Sequence, residues 1–247
     1  MKRLRIAIAG LTACSGCQLT LLNCEAELPQ LLEKVEFHFF PMACSPAILQ
    51  GAYDAALVEG CLSMPHEHEL LLALRDTCRY LIAVGTCAAW GGVAALKNGE
   101  DRELLRQQVY GESRVAGETS APRPLHAVVK VDAVICGCPP EKGELLTLIA
   151  GLLRGALPTP ISYPVCTECR MRENLCLLTE RSMLCLGPLT LGGCNARCPS
   201  LGVPCEGCRG PAAEDNLAEA MEIYLQKGYD SHAVGERLQR FCPGWKP

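Results

Sequence analysis

"LRIAIAGLTACSGCQLTLLNC", residues 4–24, decides how this chain folds. Ile6 to Leu11 is an uninterrupted apolar run, and such a run suits a strand buried on both faces of a parallel sheet. Cys14 and Cys17 follow at once, three positions apart, where the strand must end. Open parallel sheets gather their ligands at the carboxyl ends of the strands. The pair therefore marks the edge at which a site is to be sought.

The same letters invite a second reading. "MKRLRIAIAGLTAC" has basic residues before an apolar run, and "LTAC" resembles a bacterial lipoprotein cleavage box. The run from Ile6 to Leu11 is shorter than the roughly 7–15 residues of a signal core, so a buried strand accounts for it better. No other apolar stretch approaches the ~18 residues that span a membrane. The expectation is a soluble, cytosolic chain with no membrane association, in which thiols stay reduced and clustered cysteines mean metal.

Outward from this segment, residues 1–160 alternate. Apolar, β-rich segments stand at 5–11, 36–41, 55–60, 80–85 and 132–137, with helix-like stretches at 19–35, 65–78 and 142–155. That alternation predicts an α/β domain, a flavodoxin-like doubly wound parallel sheet covered by helices on both faces. Three prolines within 158–164 mark a linker, and residues 161–247 follow a different grammar. Residues 166–208 hold eight cysteines with almost no hydrophobic period, so apolar burial cannot order them and bound metal must. An irregular cysteine-rich domain is expected there, closed by two short helices in 214–241 that are divided at Gly228, with Ser231 capping the second.

Composition narrows the chemistry. The chain has 247 residues, of which 49% are hydrophobic, and a formal net charge of -4, which gives no footing for nucleic-acid binding. Its 18 cysteines are too many to be core filler. Disulfides, zinc and iron–sulfur clusters compete to explain them. Cys14 and Cys17 follow the first strand, Cys87 in "AVGTCAAWGG" the fourth, and Cys138 in "VICGCPP" the fifth. Four thiolates from three loops along one sheet edge can close on one metal centre. The second half divides into Cys166, Cys169, Cys176 and Cys185, then Cys194, Cys198, Cys205 and Cys208, which makes two further four-cysteine sets. Zinc suits four thiolates as well as iron does, but three zinc ions would have no evident function, whereas three iron–sulfur clusters describe a conducting path.

Taken in order, "CSGC" (14–17), "GTCAAWGG" (85–92), "GCPP" (137–140), "CLGPLT…GC" (185–194) and "PCEGC" (204–208) resemble the motifs of nickel-iron hydrogenase small subunits. "YPVCTEC", "GGCNARCP" and "CEGCRG" are similar to the delta subunits of cytosolic, NADP-linked sulfhydrogenases. The resemblance covers nearly the whole chain. It implies a proximal 4Fe-4S cluster on Cys14, Cys17, Cys87 and Cys138, a distal one on Cys166, Cys169, Cys176 and Cys185, and a medial one on Cys194, Cys198, Cys205 and Cys208. Membrane-linked relatives have a histidine ligand where this chain has Cys166, and they lack an equivalent of Cys198, so three 4Fe-4S clusters are expected. The absence of a twin-arginine leader agrees with a cytosolic enzyme. The implied partners are a large subunit carrying the nickel-iron centre, where hydrogen is split, and iron–sulfur and flavin subunits that pass electrons to NADP or NAD. Sulfur or polysulfide is a side acceptor. No catalytic residue is expected in this chain.

Six cysteines are left over: Cys24, Cys44, Cys61, Cys78, Cys136 and Cys242. Each reads as a small buried hydrophobe, with Cys136 the rival of Cys138 and Cys61 near the first site. Glu59 reads as a salt-bridged structural carboxylate, with proton transfer or a grip on the partner as the alternative. His66 and His68, with Glu67 and Glu69, read as a solvated first helical turn, and none of the five histidines has a ligand-like grouping. Trp90 shields the site, faces a partner or fills the core. A subunit of a complex I-like dehydrogenase would share the N-terminal fold, but its usual pair of adjacent cysteines is missing. A zinc-stabilised scaffold is the remaining alternative.

Overall fold

The structure, a computed structural model, describes residues 3–45, 47–111, 119–213 and 216–245. Five strands form one sheet: β1 (Leu4–Gly10), β2 (Val35–Phe39), β3 (Tyr53–Glu59), β4 (Cys78–Val84) and β5 (Ala133–Ile135). They pair in parallel in the order β2-β1-β3-β4-β5. This is the doubly wound, flavodoxin-like order that the alternation predicts. Chain direction turns back across β1, and the loops after β1 and β3 are tied together at the carboxyl edge, where Thr12 and Cys61 exchange backbone hydrogen bonds at 3.2 and 3.0 Å.

Successive residues of β1 feed opposite faces, as the pleat requires. Ala7 and Ala9 join Val58, Leu81 and the Leu71 and Leu74 side chains of α3 (Pro65–Thr77). Ile6 and Ile8 join Leu57, Ile82 and the Leu145, Leu148 and Ile149 side chains of α6 (Lys142–Leu153).

The stretch 19–35 is two helices instead of one: α1 (Gly16–Leu22) and α2 (Leu28–Lys34). Pro29 starts the second, because it has no N–H to donate backward into a continuing helix. Sequence periodicity also passed over α4 (Thr86–Trp90) and α5 (Arg102–Tyr110). The former is too short to show a period. The latter buries no residue and begins at Asp101, whose carboxylate accepts the Glu103 and Leu104 N–H groups.

Beyond residue 160 come α7 (Val165–Met171), α8 (Arg197–Ser200), α9 (Leu217–Gln226) and α10 (Ser231–Gln239). A third core joins them, with Val165, Leu186, Leu189, Tyr224, Val234 and Leu238 at its centre and Cys169, Cys176 and Cys194 packed against it. The Tyr224 hydroxyl, fully buried, donates to the Cys185 carbonyl at 2.9 Å and so ties α9 to the cysteine-rich loops. The two last helices lie either side of Gly228 as expected, but Asp230 caps α10, accepting the Ala233 N–H at 3.2 Å, and Ser231 is its first residue. Residues 214 and 215, the start of the predicted helical stretch, lie outside the described residues. No helix among the described residues is long and apolar enough to cross a membrane.

The two halves touch through buried groups. Trp90 packs against the third core, where Gly210 lies over its indole, and Thr86 Oγ1 donates to the Cys208 carbonyl. Trp90 is thus a joint between the halves, which is the core-packing alternative of its three readings.

Candidate metal centres

Site one forms at the carboxyl edge of the sheet. Cys14 and Cys17 flank the turn into α1, where Ser15 takes a left-handed conformation (φ 64°) that starts the helix abruptly. Cys87 lies in α4 after β4, and Cys138 follows β5 at a cis Cys138–Pro139 peptide. The four thiols sense one another. Burial pushes Cys87 up to about 11, with Cys138, Cys14 and Glu59 adding to it. Cys17 is raised by burial, then by Glu59, Cys87 and Cys138, and Cys138 by burial, Cys14 and Glu59. These three thiols, Cys17, Cys87 and Cys138, resist deprotonation on their own, so a strongly cationic group is needed to hold them as thiolates. Gly85 (φ +86°) carries no Cβ for a physical reason: one there would collide with Cys17 Sγ.

Glu59, 3% exposed at the end of β3, accepts the N–H groups of Cys17 (3.0 Å) and Gln18 (3.2 Å) and the Gln18 side-chain amide (3.0 Å). Its partners among the described residues are thus N–H groups and no cation, which corrects the salt-bridge expectation. The carboxylate clamps the turn that presents Cys17.

Site two surrounds a cavity of about 530 Å³ lined by Cys194, Cys198, Cys205 and Cys208 together with Cys138 and Arg209. Burial lifts Cys208 to about 11, with Cys194 and Cys198 also raising it, and lifts Cys205 further still. Each sulfur that is lifted also has donors. Cys205 has the Gly207 N–H, and Cys208 the Cys138 N–H. N–H groups aimed at thiolate sulfur are the outer-shell contacts that a metal–sulfur site requires.

Site three takes Cys166 and Cys169 from α7, then Cys176 and Cys185 from the loops after it. Burial pushes Cys166 up to about 12, and Cys185, Cys169 and Cys176 push in the same direction. Cys185 Sγ accepts the Cys205 N–H at 3.2 Å. At Cys176 burial opposes ionisation, but the Thr179 hydroxyl and the Thr179 and Leu178 N–H groups outweigh it and lower the thiol's pKa.

Within each grouping thiols lie near enough to raise one another's pKa. The donors are all sulfur, which suits iron–sulfur clusters or zinc. Among the described residues no three His, Cys, Asp or Glu side chains converge as one ion would need. The open cavity of site two, ringed by four thiols, fits a polynuclear group.

Cys136 turns from site one and stands near Trp90, Arg209 and Glu144. Cys61 donates to the Thr12 carbonyl at 3.5 Å beside Cys87. Cys24, Cys44 and Cys78 donate to backbone carbonyls, and Cys242 is buried. The first turn of α3 differs from the solvated reading: Glu67 is buried, accepting the Ser63 (2.8 Å) and Met64 (2.9 Å) N–H groups and the Thr12 hydroxyl (2.7 Å). Sequence spacing also missed two buried charges. Glu168, between the ligands of site three, accepts the Gly193 (2.6 Å) and Ala196 (3.0 Å) N–H groups beside Cys194. Arg209 follows Cys208 and pairs with Glu144 at 2.6 Å. A charged residue directly beside a ligand cysteine in a segment of low periodicity is the one signal that pointed to either.

Residues 14–152 match the family described as "NADH ubiquinone oxidoreductase, 20 Kd subunit". Sulfhydrogenase 2 subunit delta of Pyrococcus furiosus is 37% identical over 239 residues, covering 97% of this chain and 99% of that one. A chain of the F420-non-reducing hydrogenase (vhu) of Methanocaldococcus jannaschii is 33% identical over 265 residues, covering 95% of this chain and 92% of that one. Among solved structures, a chain of an NAD+-reducing [NiFe]-hydrogenase in the H2-reduced state is similar at 32% identity and a TM-score of 0.56, over 64% of this chain and 96% of that one. With the parallel sheet and its cysteine-bearing edge, these likenesses make the chain a member of the nickel-iron hydrogenase small-subunit family, whose α/β portion is shared with the 20 kDa subunit of NADH ubiquinone oxidoreductase.

Proposed function

We propose that this chain is the electron relay of its hydrogenase, with three 4Fe-4S clusters held by Cys14, Cys17, Cys87 and Cys138, by Cys194, Cys198, Cys205 and Cys208, and by Cys166, Cys169, Cys176 and Cys185. Bound there, the clusters supply one-electron transfer. The observation that carries this reading is a chain of contacts: the Cys138 N–H of site one faces Cys208 Sγ of site two, and the Cys205 N–H of site two donates to Cys185 Sγ of site three. Site two therefore adjoins both site one and site three. Residues 1–160 form the domain that holds site one, and residues 161–247 the domain that holds the other two.

The protein's work is to hold, space and insulate. Apolar side chains of the third core pack against Cys169, Cys176 and Cys194 and enclose Cys185 and Cys205, and backbone N–H groups stabilise charge on the sulfurs. Cys14 and Cys138 are exposed in the isolated chain, which supports a large subunit with the nickel-iron centre covering that edge and delivering electrons from H2. Site three then faces the outgoing partners, iron–sulfur and flavin subunits that use NADP or NAD, in the cytoplasm. The names of two relatives, sulfhydrogenase and NAD+-reducing hydrogenase, support a nicotinamide acceptor with sulfur or polysulfide as a side acceptor.

Anaerobic purification of the chain with its bound partners tests this. About twelve irons per chain, a broad brown absorption and H2-dependent reduction of a dye and of NADP+ are expected. Colourless protein containing zinc overturns it.

A further inference from the structure

Arg209 is 2% exposed and its guanidinium joins three chain segments. Nε donates to the Gly192 carbonyl at 2.6 Å, Nη1 to the Cys136 carbonyl at 2.7 Å and Glu144 Oε2 at 2.8 Å, and Nη2 to Glu144 Oε1 at 2.6 Å. Every one of these anchors bears on a ligand. Cys136 is two residues before Cys138 of site one; Gly192 is two before Cys194 of site two; Arg209 itself follows Cys208 of site two. Glu144 lies in the first turn of α6, the helix that starts directly after Cys138-Pro139-Pro140. One planar side chain thus spans the gap between the two sites and is bonded on both sides of it.

The packing around the fork is equally specific. Gly193 has φ +105°, and a Cβ there would lie 2.5 Å from Arg209 Nη2 and 2.7 Å from Glu144 Oε1. A side chain at 193 would therefore drive the pair apart. Lysine could not replace arginine, since a single ammonium cannot meet two carbonyls and a carboxylate in one plane. The pair of Arg197 with Glu141 on the same rim is also a two-bond fork, but its guanidinium is exposed and meets no backbone carbonyl. Distance and orientation between redox groups govern transfer between them, and a residue tied to both loops governs distance and orientation.

We propose that Arg209 is a positioning residue for electron passage between site one and site two, its fork to Cys136, Gly192 and Glu144 fixing their separation and mutual orientation. The inference rests on the relay reading above, but its failure is separable from that of the relay. Arg209 ligates nothing, so its replacement leaves the donor set whole. What changes is the relation between the sites.

The test uses the full hydrogenase complex carrying Arg209→Lys, and separately the double exchange Arg209→Met with Glu144→Met. The double exchange removes the buried pair without stranding a lone charge, and so keeps a folded chain if the single one does not. Iron content, the magnetic interaction between the reduced centres of sites one and two by paramagnetic resonance, and H2-dependent NAD(P)+ reduction are measured together. Unchanged iron, an altered magnetic interaction and a loss of about 10- to 100-fold in reduction rate are expected in both variants. A wild-type interaction and rate in both variants overturns the proposal. Loss of iron from both also overturns it, because Arg209 is then a folding residue. Absence of three centres in the unaltered complex sinks the relay reading instead.

Discussion

Cys136 and Cys138 are two residues apart, yet they meet different surroundings. Gly137 takes φ +134° between them, so the Cys138 sulfur joins Cys14, Cys17 and Cys87 while that of Cys136 lies back toward Trp90 and Arg209. Cys138→Ser is expected to lower iron by about one third, one cluster in three, and Cys136→Ser to leave it unchanged. Metal analysis with visible absorption separates the two, and equal losses would contradict the assignment. The sequence favoured Cys138 by its motif, with Cys136 continuing the strand into the core. The physical reason for that choice, a glycine conformation that reverses the direction of the chain, is visible only in the fold. Glu59 makes the same point from the other side: a carboxylate at a strand end reads as half of an ion pair, and only the turn of α1 shows that N–H groups occupy it.

Among the elements, α10 depends on its cap. Asp230 accepts from Ala233, whereas the Ser231 hydroxyl caps nothing. Asp230→Ala is expected to cost about 1 kcal/mol and Ser231→Ala only a few tenths, read as shifts in the anaerobic unfolding midpoint. At the other side of the molecule, Arg75 near the end of α3 donates to Asp132 at 2.6 Å, and the Leu81 N–H of β4 donates to the same oxygen at 2.8 Å. Burial by itself lifts the Asp132 carboxyl, but Arg75 and the Leu81 N–H, with the charges of Arg75 and Lys130, outweigh it and leave it below its ordinary range. Because the folded-state pKa is depressed, this carboxylate stabilises the fold fully above an unfolded value near ~3.9, and the contribution disappears as pH falls through the folded value. Asp132→Asn is therefore expected to be less stable than the parent at neutral pH and to lose less on acidification. Parallel acid titrations of the two proteins check it, and superimposable curves refute it. The long elements were legible beforehand because their apolar period is long. Short α4, α7 and α8 were not, since a turn or two of helix beside a cysteine shows no period.

For the whole molecule, the two halves differ in what holds them. Strands β1 to β5 have a two-faced apolar core of their own, while residues 166–208 thread between cysteine sets and a smaller core. Removing iron by oxidation and chelation is expected to raise amide exchange sharply across 166–208 and to spare β1, β3 and β4. Uniform protection after iron loss would contradict this division. From the sequence alone came the parallel α/β plan, the grouping of twelve cysteines into three sets and the family. All three rest on local order: apolar runs, ligand spacing and motifs that each lie within a few residues. Only the tertiary structure decided that the Cys138 and Cys205 N–H groups lie between neighbouring sets, and that Glu168 and Arg209 stand buried beside them. Those contacts join segments up to 73 positions apart, and no periodicity or spacing in a chain encodes which distant carbonyl a buried guanidinium will meet.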